Sequence, residues 1–298
     1  MKIFKIAQHA ERDKVIVGEA IDFPGDGTST AWSELQLNQG SYLVQYAASS
    51  GKIALTAVPT GASYALQIEQ NADLINTFTL GNNAYVLSYT RASGTFQVRQ
   101  LFDTLSLGKA LPFRRTHEPG VTAGFTTIGV FDQGNRVAFM GYDHESGRVA
   151  IFDAATTARG QDGGPPIAIQ GAWSHMWATG WTRFAFFALG DETFFLKTND
   201  IWHNVNIDHI NRNHELGTNE VATRMTLVDA YDISLVAPLT LGHGDPYFVA
   251  YKPDGRAVVY RIHGDCTGWT AVAEFIAPAA AKGLHCFSDG PHGYVVLI

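Results

Sequence analysis

Four side chains of this 298-residue chain could together carry out acid/base chemistry: the carboxylates Glu34 and Asp232, the imidazole of His285 and the guanidinium of Arg183. An imidazole steered by a carboxylate takes or gives a proton near neutral pH, and a guanidinium stabilises negative charge as it develops. No two of the four are neighbours in sequence, so only a fold that gathers distant segments can make them one site. A second set offers recognition instead. Trp32, Trp177, Trp181 and Tyr231 present flat faces that stack on sugars or aromatic rings, and Asn76 and Thr126 can orient a ligand's hydroxyl groups. Each residue also has a structural reading: polar groups satisfy loop amides, and indoles wedge between packed layers.

Other chemistries find little support. The chain has no Gly-x-Ser-x-Gly elbow, no P-loop and no His-Glu-x-x-His helix. His203 and His209 would share one strand face, but extended chain holds them roughly 20 Å apart, too far to share an ion. The charged turn Asp143-His144-Glu145 reads as solvated. No metal and no cofactor is expected. The net charge of −7 with scattered Lys and Arg gives no basic stripe, so the expected partner is a small molecule or glycan and not nucleic acid. Cys266 and Cys286 fit no metal or redox spacing and read as free thiols. The first residues are too short an apolar stretch for a signal peptide, and no run approaches a membrane span, so a soluble protein is expected, cytoplasmic or secreted without a visible signal.

The elements that must position these residues repeat along the chain. Runs rich in β-branched and aromatic residues end at Tyr46, Tyr89, Tyr142, Lys197, Tyr251 and Ile298, with spacings of 43, 53, 55, 54 and 47 residues. Glycines follow at Gly51, Gly94, Gly147 and Gly255, each expected to turn the chain into a second strand. That grammar predicts an all-β fold, a single six-bladed β-propeller of four-stranded blades over residues 1–298. The expected blades are 32–72, 73–120, 124–175, 180–228 and 231–276, with a sixth made from 283–298 and 1–23. Lys2 to Gln8 and Lys14 to Phe23 supply the strands that the run ending at Ile298 lacks, so N-terminal strands pairing with C-terminal ones would close the ring and remove exposed edges.

In such a ring the innermost strands line a central channel. The expected starts of those strands put Glu34, Asn76, Thr126, Arg183, Asp232 and His285 around its mouth. The segments Phe102 to Thr122, Ala154 to Pro166 and Asn211 to Asn219 read as long loops, a means of building one asymmetric pocket on a symmetric scaffold. Gly-Trp-Thr occurs twice, at Gly180-Trp181-Thr182 and Gly268-Trp269-Thr270, and suggests a position belonging to the repeat.

The stretch Gly180 to Lys197, GWTRFAFFALGDETFFLK, resembles the repeat of tachylectin- and tectonin-type propellers, where a Gly-Trp-Ser/Thr loop leads into an aromatic inner strand. The resemblance implies sugar binding, often with one pocket per blade, and carries over here to Trp181 and the loop beside it. Ile75, Phe125, Tyr231 and Leu284 stand where the other blades would need that tryptophan, so a ring of equal pockets is not expected. Two functions follow. One is a lectin-like binding protein using Trp181, Trp177 and Tyr231 as stacking faces; the other is a metal-independent enzyme using His285 with Glu34 or Asp232 on a glycan or natural product. Hydrogen-bond contact between His285 and a channel carboxylate favours the second.

Overall fold

A computed structural model describes residues 1–9, 14–25, 27–111, 114–115, 123–132, 136–156, 167–199, 201, 204–210, 221–227, 233–242, 245–264, 266, 268–289 and 292–298. They form a six-bladed β-propeller. Three short strands open the chain: β1 (Lys2–Gln8), β2 (Val15–Val17) and β3 (Ile21–Asp22). The first blade follows as β4 (Ala31–Leu37), β5 (Gly40–Ala47), β6 (Lys52–Val58) and β7 (Ser63–Gln67). The second is β8 (Leu74–Leu80), β9 (Asn83–Thr90), β10 (Thr95–Leu101) and β11 (Leu107–Leu111), after which β12 (Arg114–Arg115) joins the next sheet. The third is β13 (Thr127–Asp132), β14 (Val137–Tyr142), β15 (Arg148–Thr156) and β16 (Ile167–Met176). The fourth is β17 (Trp181–Leu189), β18 (Glu192–Asn199), β19 (Asn204–Ile210) and β20 (Val221–Leu227). The fifth is β21 (Leu235–Leu241), β22 (Asp245–Tyr251), β23 (Arg256–Ile262) and β24 (Trp269–Ile276), and β25 (Leu284–Asp289) and β26 (His292–Leu297) begin the last.

The ring closes between the two ends of the chain. β1 lies antiparallel to β26 in register from Lys2 opposite Leu297 to Ala7 opposite His292, and the closing sheet runs β2-β1-β26-β25 with β3 also paired to β1. Part of one expected loop is regular structure instead: the segment Phe102 to Thr122 holds β11, the outer strand of the second blade. Turn residues at Asp103 to Ser106 hid a strand that is only five residues long and open on its outer side.

Six apolar clusters hold the ring together, one between each pair of adjacent blades. The second strand of each blade is covered on both faces by its neighbours, which is why β5, β9, β14, β18, β22 and β26 read as continuous apolar runs and not as alternations. The turn glycines Gly51, Gly147 and Gly255 have φ of 71°, 78° and 92°. Each lies under the chain leaving its blade's outer strand: an added Cβ would sit 2.5, 2.2 and 2.6 Å from the carbonyl oxygens of Ile68, Trp177 and Ala277.

The repeated tyrosine is a clamp between blades. Tyr46 donates its hydroxyl to Glu69 O (2.8 Å) and accepts from Ala72 N (3.1 Å), with Asn71 between them in the left-handed region at φ 61°. Tyr142 does the same for Ala178 O (2.7 Å) and Trp181 N (3.4 Å) around Gly180 at φ 88°. Tyr251 does it for Pro278 O (2.7 Å) and Ala281 N (3.0 Å) around Ala280 at φ 60°. Tyr89 accepts from Phe125 N (3.0 Å), which follows Gly124 at φ 91°. Each phenol reaches from one blade to the loop that leads into the next, so the hydroxyl satisfies backbone groups buried at the blade junction.

Candidate functional site

A cavity of about 430 Å³ occupies the central channel and is walled by the innermost strands of all six blades: β4, β8, β13, β17, β21 and β25. Trp32, Glu34, Asn76, Thr126, Arg183 and His285 all line it. Tyr231 and Asp232 lie outside the described residues. Apolar side chains share the wall with them, among them Phe184, Phe186, Val236, Pro238 and Leu284 from the fourth, fifth and closing blades.

His285 and Glu34 meet where the closing blade abuts the first. His285 Nδ1 lies 3.2 Å from Glu34 Oε1, and the same carboxylate oxygen accepts from Cys286 N at 3.3 Å. The inner edge of β25 has no strand beside it, so its Cys286 amide requires a partner from the neighbouring blade, and Glu34 supplies one. An ionised carboxylate only accepts, so a neutral imidazole paired in this way carries its proton on Nδ1 and its lone pair on Nε2. The ring belongs to a residue that lines the channel cavity. The histidine side chain is 15% exposed and the carboxylate 40% exposed, a pair partly sheltered and still within reach of a small molecule.

Other polar residues of the wall stitch blades together. Asn76 Nδ2 donates to Ile128 O (3.1 Å), and Ser33 and Thr77 pair through their hydroxyls (3.2 Å). Thr77 also donates to Glu34 O, and Thr127 donates to Thr182 O (3.4 Å). Thr126 donates to Tyr142 O (3.1 Å) and accepts from His144 N (3.1 Å), which caps the start of its strand. The structural reading therefore applies to Asn76 and Thr126, while His285 pairs with a carboxylate across the blade junction.

Trp181 and Trp177 stand away from the channel. Trp181 is 6% exposed and packs with Trp173, Tyr142 and Phe195 between the third and fourth blades. The ammonium of Lys197 lies 4.2 Å from the ring centroids of both Trp177 and Trp181, occupying faces that a sugar would need. Lys197 takes the place of the clamp tyrosine in the fourth blade and is only 5% exposed; its Nζ is 2.5 Å from Oδ2 of Asp208, itself 1% exposed. Burial pulls the lysine below its usual range, and the Asp208 charge works against that fall. The two Gly-Trp-Thr copies are not equivalent: Trp181 opens the inner strand β17, whereas Trp269 opens the outer strand β24. A three-residue match carries too little to fix a place in a four-stranded repeat.

The cysteines are free and buried. Burial, then the nearby Glu34 charge, pushes the Cys286 thiol well above its ordinary value, so it is not a thiolate nucleophile beside the histidine. Among the described residues no three His, Cys, Asp or Glu side chains are grouped to hold a metal ion. His209 is buried against Phe194, and His203 lies outside the described residues. A more open recess of about 530 Å³ lies outward between the second and third blades, lined by Arg91, Gly124, Asp143, Arg148 and Met176. Its guanidiniums are matched by carboxylates: Arg91 pairs with Glu145 at 3.3 Å, and Asp143 stays below the usual carboxylate range. There burial pushes Asp143 up, but hydrogen bonds from Ser146 and Glu145 N and the charges of Arg148 and Arg91 outweigh it. No helix among the described residues is long and apolar enough to cross a membrane.

The tyrosine clamps were legible in sequence as a repeating residue but not as a function, because a hydroxyl bridging a loop 23 to 39 residues away leaves no local spacing signal. No protein-family profile matches the chain, and no curated protein matches its sequence. Solved structures do resemble it. A protein described as a 6-phosphogluconolactonase from Bacteroides fragilis aligns with a TM-score of 0.53 at 11% identity, over 95% of this chain and 84% of that one. Hydrazine synthase from Kuenenia stuttgartiensis gives 0.52 at 9% identity, over 96% and 89%. The periplasmic gluconolactonase PpgL of Pseudomonas aeruginosa gives 0.52 at 12% identity, over 96% and 77%. Proteins with such different names share the ring, so the likeness is one of fold.

Proposed function

We propose that the channel mouth binds a small polar molecule and that His285, held by Glu34, acts on it as a general base. The observation that carries this reading is the 3.2 Å contact between His285 Nδ1 and Glu34 Oε1 on the wall of a cavity of about 430 Å³. The pair orients the imidazole as a carboxylate orients the base of a catalytic triad, and among the described residues no protein nucleophile is hydrogen-bonded to Nε2. Water or a hydroxyl of the ligand is therefore the group that Nε2 deprotonates. Arg183, on the same wall, is the group that stabilises the negative charge formed. The amphipathic wall suits a molecule with one hydroxylated edge and one apolar face. The lectin-like alternative loses the stacking faces of Trp177 and Trp181 to Lys197 and, among the described tryptophans, keeps Trp32 in the channel.

The test is a turnover and thermal-shift screen of small hydroxylated carbonyl compounds, with sugars, sugar acids and sugar lactones, alongside a glycan array. Turnover of at least one compound is expected, falling by about 100-fold in His285→Gln, the size of a lost general base. Binding without turnover, or turnover untouched in His285→Gln, would sink the acid/base reading. No ligand at millimolar concentration would sink the site.

A further inference from the structure

The loop that delivers His285 into the channel contains a residue in a conformation that its side chain disfavours. Ala280 has φ of 60°, where the Cβ of an L-residue crowds the following carbonyl. At the equivalent point of two other clamped loops the chain places glycine, Gly124 at 91° and Gly180 at 88°, and in another Asn71 at 61°. Asparagine and glycine tolerate this region; alanine does so only when its surroundings hold it there. The Tyr251 hydroxyl bonds on both sides of Ala280, donating to Pro278 O at 2.7 Å and accepting from Ala281 N at 3.0 Å. Beyond the clamp, Lys282 N and Gly283 N bond Ile298 O at 2.6 and 3.3 Å. His285 follows Gly283 by two residues, and its contact to Glu34 spans the junction to the first blade.

We propose that Tyr251 is a positioning residue for His285: its clamp keeps Ala280 left-handed, and that turn sets the line along which His285 meets Glu34. The proposal rests on His285 being the working base. Without the hydroxyl, Ala280 relaxes toward the right-handed or extended regions, the following segment rotates, and the Nδ1 to Oε1 contact weakens. Tyr46 clamps a chemically matching loop that leads to Asn76 instead, so it supplies an internal control.

The experiment reads the imidazole directly, with no ligand. In the full ¹⁵N-labelled chain, long-range ¹H–¹⁵N correlation reports which ring nitrogen of each histidine holds the proton, and the His285 signals are assigned by their loss in His285→Gln. Wild type is expected to show the Nδ1–H form. Tyr251→Phe should lower its ratio to the Nε2–H form by roughly five-fold, the equivalent of one net hydrogen bond. Ala280→Val, whose branched side chain cannot hold this φ, should do the same with the tyrosine intact, which covers the case in which Tyr251→Phe fails to fold. Tyr46→Phe and Ala280→Gly should leave the ratio unchanged. An unaltered ratio in both Tyr251→Phe and Ala280→Val, or an equal fall in Tyr46→Phe, would overturn the proposal. Failure of the small-molecule reading is seen separately, in the wild-type screen, because this measurement needs no substrate.

Discussion

Two contacts of a carboxylate with a nitrogen base show how similar chemistry serves different ends. Glu34 and His285 meet at a surface that a small molecule can reach, so their pairing is available for proton transfer. Lys197 and Asp208 are buried, and the Oδ1 of Asp208 has no hydrogen-bond partner among the described residues. A buried pair of this kind costs desolvation that its mutual attraction only partly offsets, but removing one member strands the other. Asp208→Asn should therefore destabilise the protein by about 3 kcal/mol, because the Lys197 charge is left among indole rings without its counter-ion. The double variant Lys197→Met with Asp208→Leu should recover most of that loss. Urea denaturation of the two proteins decides: equal stability of Asp208→Asn and wild type would mean that the pair is not an ion pair in the folded protein.

At the scale of the elements, the clamp tyrosines carry a pH dependence. Burial, opposed by the amides that the phenols accept from, raises Tyr46, Tyr89 and Tyr142 above the ordinary tyrosine range. The unfolded chain ionises its phenols near pH 10, while the folded blades keep these three protonated to higher pH. Above that point the folded state binds more protons than the unfolded one, so stability falls as pH rises. Their contribution is complete below about pH 10 and is lost toward the folded values, at up to about 1.4 kcal/mol per pH unit for each tyrosine. Denaturation midpoints measured from pH 8 to 11 should fall steeply in wild type and less so in Tyr46→Phe, after allowing for that variant's lower starting stability. A parallel slope in the two proteins would show that the Tyr46 phenol ionises freely while folded.

The whole molecule depends on the closing blade, where Phe4 and Ile6 pack against the fifth blade and Ile3 and Phe23 against the first. Deleting residues 1–8 removes β1, strips β26 of its partner and opens two of the six interfaces at once. The shortened chain should aggregate through the bared strand edge or lose cooperative unfolding, as judged by light scattering and calorimetry. A monomer with one sharp transition near the wild-type temperature would mean that the ring does not need its seam. The ring itself was legible in sequence. A strand covered on both faces needs an apolar run wherever it falls, and a tight turn after it needs glycine, so the period and composition at Tyr46, Tyr89, Tyr142 and Tyr251 encode the blades locally. Placement of Glu34, Asn76, Thr126, Arg183 and His285 at the channel follows from that period. The tertiary structure alone decided what each does there. Side-chain hydrogen bonds and ring contacts join residues up to 271 positions apart, and no local spacing encodes which inner-strand side chain meets a neighbour's backbone. So Asn76 became a stitch, Trp181 a wedge around an ammonium, and His285 the imidazole paired with Glu34 across the seam.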